Sequence, residues 1–368
     1  MSLAAYYNPV KVIHSDSWWT TCEEQIESLD IQKPLVVTFP EGRKWLDLNA
    51  KFPSEQIFHE IEPNPTFTLA QDIINISLRG DFDGVLAIGG GSVMDTAKCA
   101  LAALGTGQVQ LAELLTFSDP FSHRVPAIFI PTTHGTGSEV TMWATLWNME
   151  SLTKHSLSHP DLYPDVAVLD PALTLTLPLD VSLSTTLDAL SHSFEAIWNK
   201  NANPTSTRYS IDAIVTILEQ VPQLKNRQAD QEVRMKLLNA ATTAGMAFSN
   251  TKTAAAHSIS YPLTLYYGVP HGIAASISLR PLLDLNGSAI QPELKEIYRL
   301  TNLNGLEELK TAVGRIPEGQ LSYRLRDWGI EKGQLGELVN QSFTRGRMNN
   351  NIIDLTVDHV QHILEDIY

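Results

Sequence analysis

Short apolar runs alternate with helical patterns through the first half of this chain, and no other feature restricts the fold as much. PLVVTF (34–39), QIFHEIE (56–62), GVLAIG (84–89), PAIFIP (126–131) and VAVLD (166–170) read as strands. Between them TFTLAQDIINISL (66–78) and SVMDTAKCALAAL (92–104) read as helices. Strands of this length separated by helices build βαβ units, and so a parallel sheet covered on both faces. MWATLWNM (142–149) reads as an added antiparallel strand or hairpin. From about Ser182 the pattern turns almost wholly helical, with candidates at 184–199, 205–220, 230–249, 272–285, 292–301 and 356–367. The expectation is an α/β dinucleotide-binding domain over residues 1–180 and an all-α domain over 181–368, joined through the proline-marked stretch 170–180.

Composition narrows the class. With 43% apolar and 18% charged residues, the 368-residue chain has the make-up of a soluble globular protein. No apolar run reaches membrane-span length. The start, MSLAAYYNPVKVIHSD, lacks the basic-then-apolar pattern of a secretory signal, and its first few residues are set aside as an expression remnant. A formal charge of −15 with no basic cluster argues against nucleic acid and anionic membranes as partners. It leaves room for a small anionic substrate in a locally basic pocket. Cys22 and Cys99 lack a paired spacing, as expected for a reducing cytoplasm without a disulfide framework.

Two loops carry phosphate-binding chemistry. In GVLAIGGGSVMDTAK an apolar strand runs through Gly89, Gly90 and Gly91 into a helix opened by Ser92. Glycines let the backbone approach a ligand closely, and a helix N-terminus offers free N–H groups to a pyrophosphate. The run departs from the G-x-G-x-x-G fingerprint, because Met94 stands where the third glycine belongs, and it follows the third expected strand. In PAIFIPTTHGTGSEVT the next strand runs into Thr132, Thr133, Gly135, Thr136, Gly137 and Ser138. A tight turn and a polar loop would explain each segment alone. Together they fit a nucleotide across the carboxyl edge of a parallel sheet.

A third constellation lies in the helical half. Asp188 and His192 sit at i and i+4 in LSTTLDALSHSFEAIW, on one face of a helix. His257 and His271 follow. One unbroken helix would separate them by about 21 Å, but Pro262, Gly268 and Pro270 lie between and allow the chain to turn back. Singly, each residue is more often a surface pair, a core histidine or a turn. Jointly, one carboxylate and three imidazoles suit a divalent metal.

Four segments, AIGGGSVMDTAK, IPTTHGTGSEVT, TTLDALSHSFEA and the span from His257 to VPHG, resemble the iron-containing (group III) alcohol dehydrogenases. The resemblance runs from about Tyr7 to the end. It implies a dehydroquinate-synthase-like fold, with one Fe²⁺ or Zn²⁺ held by Asp188, His192, His257 and His271. It further implies a nicotinamide dinucleotide contacted by Gly89, Gly90, Gly91, Ser92, Thr132, Thr133 and Thr136, with Lys154 near the ribose. The implied chemistry is hydride transfer between nicotinamide and a metal-polarised carbonyl, in a homodimer or larger homo-oligomer.

Two departures are informative. Tyr261 stands where many members carry a further histidine, and is expected to relay a proton or contact substrate. Phe39 stands where NAD-preferring members carry an aspartate, and Arg43 and Lys44 follow it. Despite Glu41, this favours NADP(H) over NAD(H). Within the family, the SYPLT run and Tyr261 resemble phosphonoacetaldehyde reductases, which implies a small aldehyde with an anionic tail. Arg208, Arg280 and Arg347 are candidates to receive that tail, though each singly is more often a solvated surface arginine. The rival readings are a glycerol or simple primary-alcohol dehydrogenase, a dehydroquinate-synthase-like metal- and NAD-dependent lyase, and a nucleotide-binding protein without catalysis.

Overall fold

A computed structural model describes residues 5–344 and 346–368; residues 1–4, part of the stretch set aside above, lie outside the described residues. The chain forms two compact units. One comprises Asn8–Thr133 and Ser138–Thr174; the other comprises Leu175–Tyr368, the segment His134–Gly137 and the described residues up to Tyr7.

The first unit holds eight strands: β1 (Lys11–His14), β2 (Pro34–Thr38), β3 (Ile57–Phe58), β4 (Gly84–Gly89), β5 (Ala127–Pro131), β6 (Trp143–Asn148), β7 (Thr153–Ser158) and β8 (Val166–Leu169). Six form one parallel sheet in the order β1-β8-β5-β4-β2-β3. Every residue of β2, β4, β5 and β8 is buried, which explains their unbroken apolar sequences. Successive side chains leave on opposite faces. Leu35, Val37, Val85, Ala87 and Phe129 share a core with residues of the helices Phe67–Arg79 and Gly91–Thr106. Val36, Leu86, Ile88, Ile128 and Ile130 form the other, joined by Cys22 and Ile26 of the helix Trp18–Ser28.

The strand β1 carries no clear sequence signal: KVIH is four residues long and half exposed at the sheet edge. The expected strand 56–62 shrinks to two residues, Ile57 and Phe58, which pair with Val36 and Val37 of β2. The segment 142–149 pairs antiparallel with β7 in a separate two-stranded sheet rather than extending the main one.

The second unit is helical. The helix Leu179–Ile197 packs in one core with Pro204–Asn226, Gln231–Thr251 and Ala255–Tyr267. Caps visible in the sequence set two starts. Asn203 and Ser206 form a capping box before Pro204, and Asp230 accepts from the backbones of Glu232 and Val233. The expected helix 272–285 is two helices, His271–Ser276 and Leu279–Asn286. Pro262 does not end its helix, which runs on to Tyr267 and closes at Gly268 with φ 66°. Pro262 removes one donor, yet Ala255 through Thr264 are all buried, and packing carries the helix through. No helix among the described residues is long and apolar enough to cross a membrane.

Candidate metal centre and nucleotide loops

The helix Leu179–Ile197 places Asp188 and His192 one turn apart on a buried face. The helix Ala255–Tyr267 brings His257 beside them. The left-handed turn at Gly268, followed by Pro270, then returns His271 at the start of the next helix. One oxygen, Asp188 Oδ1, faces all three rings: His257 Nε2 lies at 3.5 Å, His271 Nε2 at 3.8 Å and His192 Nε2 at 3.9 Å. Asp188 Oδ1 and His257 Nε2 are buried and make no hydrogen bond among the described residues. Donors bound tetrahedrally at 2.0–2.2 Å from one metal stand about 3.3–3.6 Å apart. Of the three separations only that to His257 falls in this range. Asp188, His192 and His257 offer donor atoms all within 4.8 Å of one another, a set that could close on a common ion, while His271 stands outside that group though 3.8 Å from Asp188 Oδ1.

Two of the rings are held by their surroundings. His192 stacks on Phe248, with centroids 4.0 Å apart and planes at 7°, and on its other side approaches the His257 ring at 4.5 Å. His257 donates from Nδ1 to Glu195 Oε2 at 2.5 Å, and its backbone N–H donates to Glu195 Oε1 at 3.1 Å. His271 is the open member, with its side chain 27% exposed where Asp188 is 4% exposed. Solvent thus reaches the cluster on the His271 side.

Glu195 escaped the sequence reading. It lies seven residues after Asp188 on the same helical stripe and is completely buried. The available signal was a carboxylate in the apolar run SFEAIW at i+7 from the first acid.

The charges favour a cation. Burial pushes the Asp188 carboxyl up, but His192, His257 and His271 outweigh it and hold the group well below the usual carboxylate range. Burial likewise opposes ionisation of Glu195, and His257 reverses this, so its pKa is lowered. For His257, burial favours the neutral ring, but Glu195 and Asp188 push it up to about 9. If metal ligation displaced the His257 proton, the two buried carboxylates would leave a charge that one divalent ion balances. The donor set fits Fe²⁺, Zn²⁺, Co²⁺ or Mn²⁺.

In the other unit, both phosphate-type loops leave adjacent strands at one sheet edge. Thr132 N–H donates to Gly89 O at 3.0 Å, which ties them together. The helix Gly91–Thr106 starts at the glycine run with Gly90 as its N-cap. Connections from β2 and β4 run to opposite sides of the sheet, so the crevice beyond their carboxyl ends is a topological switch point. Phe39 follows β2 there, and Gly89 ends β4, with Gly90, Gly91 and Ser92 after it. Ser92 Oγ accepts from Asn64 N–H at 3.2 Å. Lys154 lies on β7, its Nζ 5.6 Å from the Trp147 ring centroid. Thr133 belongs to this unit, whereas Thr136 falls in the segment His134–Gly137 that packs with the helical unit. There His134 accepts from Arg234 Nη1 at 3.1 Å and lies 3.1 Å from Thr186 Oγ1.

A second unmarked pair braces the loops. Lys98, fully buried, donates to Ser138 O and Oγ at 2.8 Å, Thr141 Oγ1 at 2.9 Å and Trp143 O at 2.8 Å. Asp95 Oδ1 accepts from Ser138 Oγ at 2.7 Å. Burial pushes the Lys98 ammonium down to about 8 despite Asp95.

The three arginines separate. Arg208 is an exposed surface residue paired with Asp212 at 3.0 Å and Glu296 at 3.9 Å. Arg280 lines a groove with Glu318, Tyr323 and Arg324, and none of the four metal-type residues lines it. Arg347 donates from Nη1 to Gly346 O at 2.9 Å, and earlier in the chain Ser258 Oγ, next to His257, donates to Ser342 O at 2.5 Å and accepts from Thr344 N–H at 3.0 Å.

Comparison with known proteins agrees with this geometry. Residues 9–171 match the family described as iron-containing alcohol dehydrogenase, and residues 182–368 match the C-terminal part of the Fe-containing alcohol dehydrogenase family. Long-chain-alcohol dehydrogenase 1 of Geobacillus thermodenitrificans is 31% identical over 283 residues, 76% of this chain and 71% of that protein. Phosphonoacetaldehyde reductase of Streptomyces viridochromogenes is 38% identical over 212 residues, 55% of this chain and 53% of that one. The crystal structure of sulfoacetaldehyde reductase from Bifidobacterium kashiwanohense in complex with NAD+ is similar with a TM-score of 0.90 at 26% identity, covering 100% of this chain and 99% of that one.

Proposed function

The chain belongs to the iron-containing alcohol dehydrogenase family and is an oxidoreductase, and on that premise we propose that it reduces a small aldehyde bearing an anionic tail, such as phosphonoacetaldehyde to 2-hydroxyethylphosphonate. The observation that carries the reading is the convergence of three imidazole Nε2 atoms on Asp188 Oδ1. Asp188, His192, His257 and His271 are the proposed ligands of one divalent ion, Fe²⁺ or Zn²⁺. When bound, that ion supplies Lewis acidity toward a carbonyl oxygen, and the nicotinamide supplies hydride.

The chain's own residues do the rest. The glycine run with Ser92, and Thr132, Thr133 and Thr136, are proposed to hold the dinucleotide, with Lys154 toward its ribose. NADP(H) is the favoured form. Phe39 offers no carboxylate to repel a 2′-phosphate, and Arg43 waits beside it. Its Nε donates to Asn49 Oδ1 at 3.0 Å and its Nη1 to His59 Nε2 at 2.9 Å, and no carboxylate pairs with it among the described residues. Tyr261 is buried one turn beyond His257 on the same helical face, suitably set to pass a proton to the product oxygen or to contact substrate. Arg347 is the proposed receptor of the anionic tail. Phosphonoacetaldehyde and sulfoacetaldehyde, named for two of the similar proteins, are both small aldehydes with such a tail.

A kinetic panel on metal-defined protein tests the reading, with phosphonoacetaldehyde, sulfoacetaldehyde and uncharged aldehydes of similar size, each with NADPH and NADH. Preference for the anionic aldehydes with NADPH is expected. A clear preference for uncharged aldehydes would sink the substrate assignment, and equal kcat/KM with both cofactors would remove the NADP(H) preference. Turnover without net nicotinamide consumption would favour the lyase reading instead. Tyr261→Phe with undiminished kcat/KM across pH would end the proton role.

A further inference from the structure

We infer that Glu195 is a positioning residue for the metal: it fixes which nitrogen of His257 faces the ion, and so sets how tightly the ion is held. The inference rests on the metal centre proposed above and adds to it a residue outside the ligand set.

The geometry is unusually complete. Glu195 is wholly buried and meets His257 twice, through Oε2 to ring Nδ1 at 2.5 Å and through Oε1 to the backbone N–H at 3.1 Å. A carboxylate only accepts, so the proton in the ring contact resides on Nδ1. That leaves Nε2 as the nitrogen free to face an ion, and it points at Asp188 Oδ1, 3.5 Å away, where both atoms are buried. The second contact matters as much as the first. Gripping backbone and ring together prevents the imidazole from flipping or rotating about its Cα–Cβ bond. The stripe Asp188, His192, Glu195 therefore delivers two ligands and the holder of a third from a single rigid helix. The carboxylate also raises the basicity of the bound imidazole and lends the site a second negative charge. Outer partners of this kind typically contribute about 10–100-fold to metal affinity.

The test is made on full-length protein stripped of metal and titrated with Co²⁺ against a competing chelator. Wild type, Glu195→Gln and Glu195→Asp are compared, and the cobalt absorption spectrum and the metal-free melting midpoint are recorded for each. Glutamine keeps the shape, but its amide cannot accept through both arms, and it carries no charge. Expected are cobalt dissociation constants raised about 10–100-fold for Glu195→Gln and by less for Glu195→Asp, with altered ligand-field bands in both. If Glu195→Gln does not fold, Glu195→Asp alone decides by the same two readouts. A lowered metal-free midpoint with wild-type cobalt affinity and spectrum overturns the inference, because the role would then be structural. If wild type itself takes up no cobalt, the metal centre falls and this inference falls with it, so the two failures are distinct.

Discussion

Gly272→Ala offers a sharp test of how the ligand-bearing helices are assembled. A Cβ at position 272 would lie 2.1 Å from Ser184 O, 2.7 Å from Ser184 C and 2.9 Å from Ser184 Oγ, and the closest of these is backbone that cannot swing away. Restoring an ordinary contact needs the two segments to part by about 1 Å. Ser184 stands four residues before Asp188 on one helix, and Gly272 follows His271 on the other. The parting is thus transmitted to the 3.8 Å approach of His271 Nε2 to Asp188 Oδ1. Metal–ligand distances tolerate about 0.2 Å, so the proposed ion would lose one ligand. Overpacking should destabilise the metal-free protein by about 1–3 kcal/mol, a melting shift of about 1–4 °C. Cobalt affinity should fall about tenfold or more. The matched control is Gly268→Ala in the same turn. At φ 66° with no atom within 4 Å of the added methyl, it should cost about 1–2 kcal/mol of backbone strain and leave cobalt affinity unchanged. Melting by circular dichroism and chelator-competition titration read both. Wild-type cobalt affinity in Gly272→Ala, or an equal loss in Gly268→Ala, would refute the argument.

Other outcomes follow from single contacts. Burial, reinforced by Arg234, pushes His134 down to about 3, so the folded ring stays neutral where an unfolded one protonates. Stability from this source is complete above about pH 6.5 and declines toward pH 3 by up to about 1.4 kcal/mol per unit. His134→Gln should flatten urea-measured stability over that range in metal-free protein; an unchanged slope counts against it. Phe248→Leu removes the ring stacked on His192 and should cost about 0.5–1.5 kcal/mol beyond lost area, together with weaker cobalt binding. Unaltered cobalt affinity would show the stack to be incidental. Arg43→Ala should lower kcat/KM with NADPH about tenfold or more while sparing NADH, as loss of charge-assisted bonds to a 2′-phosphate requires. Equal effects on both cofactors would exclude that role.

Much of the architecture could be read from the chain itself. Strands buried on both faces must be apolar throughout, so β2, β4, β5 and β8 announced themselves and the parallel sheet followed. Asp188 and His192 were legible because a helix converts a spacing of four into a shared face. The half-exposed edge strand β1 and the short helices Leu306–Gly314 and Leu335–Gln341 left too faint a pattern, since few of their positions are committed to the core.

Local rules and long-range packing thus decided different things. The sequence by itself determined residue chemistry, helical periodicity and the turns at Gly268 and Pro270, because these depend on neighbours a few positions away. Only the tertiary structure decided that His257 and His271 meet Asp188, that Glu195 and not another acid grips His257, and that Arg208 is taken up by surface carboxylates. Those facts join residues dozens of positions apart, and which of them touch depends on how helices pack, down to a missing methyl at Gly272.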